Sequence, residues 1–85
     1  MTFKNKLACS TLTDKQHKNI VQNADHILSI CDTIDELLNE YKWLFEFICR
    51  LEAMSFICPN ERKEYLVFIK EKYEDRMEEI EKRFR

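Results

Sequence analysis

The residues best equipped for chemistry are four cysteines, Cys9, Cys31, Cys49 and Cys58, and two histidines, His17 and His26. Zinc holds its ligands in short pairs such as C-x-x-C or H-x-x-x-H, because neighbouring side chains must converge on one ion. The pairs closest in sequence here, Cys9–His17, His26–Cys31 and Cys49–Cys58, follow no such spacing. The expectation is therefore scattered buried thiols and surface histidines, with no metal and no other cofactor. A cysteine nucleophile needs a base that is itself held by a third group. Cys9 precedes His17 by eight residues in a stretch that predicts no enclosing structure. Asp32, Asp35 and Glu36 lie at helical spacing and read as a solvated charge cluster at a helix start. The chain has no glycine, hence no phosphate-cradling or oxyanion loop of the usual kind. No catalytic residue is assigned, and the chain reads as a non-enzyme.

Nucleic acid would be met by basic residues. Net charge is −2, but the first twenty residues carry Lys4, Lys6, Lys15 and Lys18 against Asp14. These four lysines are the candidate phosphate contacts. They come without arginine or regular aromatic interleaving, so ordinary solubilising lysines are the competing reading.

Trp43, Phe45, Phe47 and Phe56 form the densest aromatic stretch. Such a stretch is either the core at the closed end of a helical hairpin or an interface anchor. Trp43 and Phe47 are i,i+4 neighbours off the main apolar line, which suits them to cover a third helix or a second chain.

The elements that must position these groups are all helical. Residues 1–12 read as a flexible basic arm, and 13–85 as one helical domain. Thr13 with Gln16 three residues on makes a capping box, with Asp14 suited to the helix dipole. From there Ile20, Ala24, Ile27, Cys31, Ile34, Leu38, Tyr41, Phe45 and Ile48 recur in alternating steps of four and three, a heptad seam. Leu37, Leu44, Leu51 and Cys58 add a second line. The simplest reading is one helix over about 13–55, a stop at Cys58-Pro59-Asn60, and a second helix over about 59–84 with its seam at Leu66, Ile69, Tyr73, Met77, Ile80 and Phe84. The fold class is then all-α, a long antiparallel hairpin. The alternative is a three-helix bundle: Thr33 with Glu36 is itself a capping pattern, so a break near Asp32-Thr33 would start a new helix there.

The hairpin reading has a consequence. A helix of roughly 60 Å would face one of about 40 Å, at 1.5 Å per residue. Ile20, Ala24, Ile27 and Cys31 would have nothing of their own hairpin beneath them. They and Trp43 and Phe47 are therefore the candidate partner-binding residues, for a homodimer or for another protein. The segment contains Glu46, Arg50 and Glu52 within its longest apolar run, so no membrane span is expected. The start of the chain lacks an apolar h-region, and the cysteines are expected to be reduced in the cytoplasm.

Residues 32–41, Asp-Thr-Ile-Asp-Glu-Leu-Leu-Asn-Glu-Tyr, resemble the start of the second helix in the small sporulation-regulating aspartyl-phosphate phosphatases. That resemblance implies a helical hairpin with a regulatory role. It covers about ten residues, and Cys31 or Asp32 stands where that family's serine belongs. The reading that results is a small protein-interaction module, an adaptor or inhibitor that occupies a partner's surface. Its alternatives are a nucleic-acid-associated helical protein and a phosphatase-like regulatory hairpin. Compact helical proteins of this composition are common among viral and phage accessory proteins, which is association only.

Overall fold

The structure, a computed structural model, describes residues 11–83. The chain is all-α, as expected, and takes the bundle arrangement: α1 (Asp14–Ser29), α2 (Ile34–Ala53) and α3 (Pro59–Arg83). The long continuous helix does not form. The break falls at residues 30–33, and the reason is distributed over the whole molecule.

Thr33 adopts an extended backbone and its hydroxyl accepts the Glu36 N–H at 3.1 Å, so α2 has its own cap. At the end of α1 the Ser29 hydroxyl donates to the His26 carbonyl, and the Cys31 thiol donates to that of Ile27. The carbonyl of Cys31 accepts Arg76 Nε of α3 at 2.9 Å. Asp32 draws both Arg76 and Arg83 within 3.6 Å. A turn without Gly or Pro is thus satisfied by an arginine 45 residues away.

The other turn is local. Ser55 has φ 66°, and its N–H and that of Phe56 return to the carbonyls of Glu52 and Leu51. This is a Schellman motif with serine where glycine is usual, at a cost of about 1 kcal/mol. Cys58 then caps α3. Its carbonyl accepts the Arg62 N–H, and its own N–H donates to Glu61 Oε1 at 2.9 Å. Upstream of α1, the Thr11 N–H donates to the Phe56 carbonyl and Leu12 packs against the core. These two residues are therefore held, whereas the rest of the expected arm, with Lys4, Lys6 and Cys9, lies outside the described residues.

The core gathers Ala24, Leu28 and Cys31 from α1, Leu37, Leu44 and Ile48 from α2, Ile57, and Tyr65, Ile69 and Ile80 from α3. Two corrections follow. The seam of Ile20, Ala24, Ile27 and Cys31 is covered by its own chain, since α1 doubles back onto α2 and α3. The physical ground for an obligatory partner is gone. In α2 the buried line is Leu37, Leu44 and Ile48, while Ile34, Leu38 and Phe45 stay about 40% exposed. A helix that packs against two neighbours buries the line facing between them. The seam continued in number across 30–33 but not in space.

Candidate functional site

Two places combine unusual chemistry with definite geometry. The first is internal. His17 on α1 and Glu61 and Tyr65 on α3 are all buried. His17 Nε2 lies 3.1 Å from Glu61 Oε2, and its Nδ1 meets the Tyr65 hydroxyl. The His17 and Tyr65 rings also stack, with centroids 5.8 Å apart. The tautomer with its proton on Nε2 satisfies both contacts: it donates to Glu61 and accepts from Tyr65. Glu61 is therefore bifunctional, one oxygen capping α3 and the other holding α1.

The sequence expectation of surface histidines is overturned for His17. A signal was present: His17 sits one heptad before Ala24 and two before Cys31, on the line that α1 buries. With all three side chains sealed from solvent, this cluster acts as a polar tether between helices.

Burial is the main cause that pushes the Tyr65 hydroxyl well above its ordinary value of 10.0, with the Glu61 and Glu64 carboxylates adding to it. The sign follows. Above pH 10 an unfolded tyrosine releases its proton while the folded one keeps it, so the unfolded state binds fewer protons and is favoured. Stability is expected to be level with respect to this group below pH 10 and to fall above it, by at most about 1.4 kcal/mol per pH unit. Urea melts across that range check it. Tyr65→Phe should lower stability at neutral pH and flatten the alkaline decline. Tyr41, raised by burial and by Tyr73 and Glu74, leaves a residual slope.

The second place is on the surface between α1 and α2. Ile27, Ile30, Cys31, Glu36, Asn39 and Glu40 line a shallow cleft of about 270 Å³. Along α2 the same line continues into Trp43, 56% exposed, whose ring stacks flat on Phe47 at 5.4 Å. Of the candidate partner-binding residues, Ala24 and Cys31 are buried, Ile20, Ile27 and Phe47 are half-buried, and Trp43 is exposed. Burial also raises the Cys31 thiol above its usual range, reinforced by Glu40 and Glu36. Cys31 is thus a poor nucleophile.

Of the candidate nucleic-acid contacts, Lys15 and Lys18 are exposed on α1, and Lys4 and Lys6 lie outside the described residues. Among the described residues, no group of three His, Cys, Asp or Glu side chains is placed to hold a metal. None of the described helices is long and apolar enough to cross a membrane. Cys31 and Cys49 are free, whereas Cys58 is disulfide-bonded, which corrects the expectation that all thiols are reduced. No protein-family model, curated protein or solved structure matches the chain.

Proposed function

We propose that this is a protein-binding module, not an enzyme, and that it engages another protein through the α1/α2 face around Trp43. One observation carries the reading: a tryptophan more than half exposed, braced by a flat stack on Phe47, on the same line of α2 as a cleft lined by Ile27 and Ile30 and by Glu36 and Glu40. Tryptophan is costly to leave in water and dominates interface energetics when it is covered. The stack holds the indole in place, so little side-chain entropy is lost when a partner covers it. Glu36 and Glu40 at the cleft favour a partner with an apolar anchor and a basic rim.

The binding surface is narrower than the sequence suggests. Ile27 and Cys31 line the cleft, whereas Ala24 is buried in the core and Ile20 is half-buried away from the cleft lining.

The test is a comparison of proteins captured by the wild-type chain and by Trp43→Ala, followed by affinity measurement on the specific partner. Trp43→Ala should weaken that partner by roughly thirtyfold or more, the ~2 kcal/mol of an interface anchor, while helical content is unchanged. Equal affinity for the two proteins would dismiss this face.

A further inference from the structure

A different face, between α2 and α3, carries an inference independent of the one above. On α2, Ile34, Leu38 and Phe45 are exposed on one line. Tyr41 joins that line to α3: it stacks on Tyr73 at 4.4 Å and meets Phe45 edge-on at 6.4 Å. On the outer side of α3, Lys63, Val67, Lys70, Glu74, Met77 and Glu81 recur in steps of four and three. Met77 is half-buried and the other five are exposed, so the row has heptad spacing and faces outward, with two apolar residues, Val67 and Met77, among four charged ones.

The outward row is its own complement. Lys63 and Glu81 are equidistant from Lys72 along the helix, as are Val67 and Met77, and Lys70 and Glu74. We propose that a second copy of this chain docks here, face to face and antiparallel, about a two-fold axis lying in the interface and crossing α3 at the level of Lys72. The axis sets Lys63 against Glu81, Val67 against Met77 and Lys70 against Glu74 of the second copy, and each pairing occurs twice. The Tyr41–Tyr73 stack fixes the level of α2 beside α3, so the same axis crosses α2 between Tyr41 and Lys42. Leu38 then faces Phe45, and Ile34 faces Cys49, of the second copy.

A parallel arrangement would set Lys63, Lys70, Glu74 and Glu81 each against itself, which like-charge repulsion disfavours. About this axis residues 34–49 of α2 and 61–83 of α3 face their counterparts and, at about 10 Å across each helix, present on the order of 600 Å² in projection. That is at the lower end of the range around ~800 Å² per partner in a standard stable interface.

Sedimentation equilibrium on the full chain tests the proposal. The wild type should approach twice its 10.4 kDa at micromolar concentration. Lys70→Glu and Glu74→Lys should each weaken the dimer by about tenfold, because each creates two like-charge contacts. The double reversal should restore it. All three variants lie on exposed positions and should keep the far-ultraviolet helical signal. Trp43→Ala should leave the dimer intact, which separates this face from the partner-binding one. A wild-type chain that stays at monomer mass, single reversals without effect, or a double reversal as weak as the singles would each overturn the proposal. So would loss of the dimer in Trp43→Ala.

Discussion

Glu61→Ala is expected to lower stability by about 2–5 kcal/mol, since each buried donor that loses its acceptor costs roughly 1–3 kcal/mol. The size comes from how many groups the carboxylate serves. Its loss leaves the Cys58 N–H without its acceptor and His17 Nε2 without its 3.1 Å partner, both in the interior. It also uncaps α3 at the position where Pro59 starts the helix. Stabilities of 5–15 kcal/mol are typical, so the variant should be partly unfolded at 37 °C. Chemical denaturation with circular dichroism measures it. Glu61→Gln is the informative companion. An amide oxygen can still accept the Cys58 N–H, so its deficit should be less than half that of alanine. If Glu61→Ala unfolded within 1 kcal/mol or so of wild type, the tether between α1 and α3 would be of no energetic consequence.

Leu28→Ala should cost about 2–5 kcal/mol, the range for truncating a fully buried leucine. Leu28 is 1% exposed and lies outside the apolar line that a continuous first helix would present. It is buried because α1 turns back, so its cost reads out the bundle arrangement directly. Ile30, in the connection and 59% exposed, is the control: Ile30→Ala should stay within about 0.5 kcal/mol of wild type. Urea unfolding of both variants decides. Equal, small effects would mean that α1 is not packed as described. A large Leu28 effect beside a silent Ile30 fits only a chain folded into three helices.

The candidate site was legible in part. Trp43 and Phe47 stand out in the sequence by type and by their i,i+4 spacing, and they do stack on each other at the surface. Ile20, Ala24, Ile27 and Cys31 stand out as an apolar line, but the line is the inner face of α1. Periodicity reports that a face must be covered and is silent on what covers it. His17 shows the converse. Its heptad position placed it among core residues, yet a histidine is tolerated there only because Glu61 and Tyr65, more than forty residues on, supply its partners.

Taken alone, the chain's residues determine that it is helical, that one helix is capped by Thr13 and another starts at Pro59, and that Ile69 and Ile80 of α3 turn inward, whereas Leu66, Tyr73 and Met77 of the same expected line are only half-buried. These depend on local forces: capping hydrogen bonds, the proline ring, and the 3.6-residue repeat. The tertiary structure decided whether 13–55 is one helix or two, and which flank of α2 faces water. Both depend on contacts distant in sequence. Arg76 satisfies the Cys31 carbonyl and, with Arg83, the Asp32 carboxylate, which makes a turn without glycine affordable. α1 and α3, packed together on α2, select Leu37, Leu44 and Ile48 over Ile34, Leu38 and Phe45. A heptad count carries through a four-residue connection unchanged, whereas the direction of the chain does not.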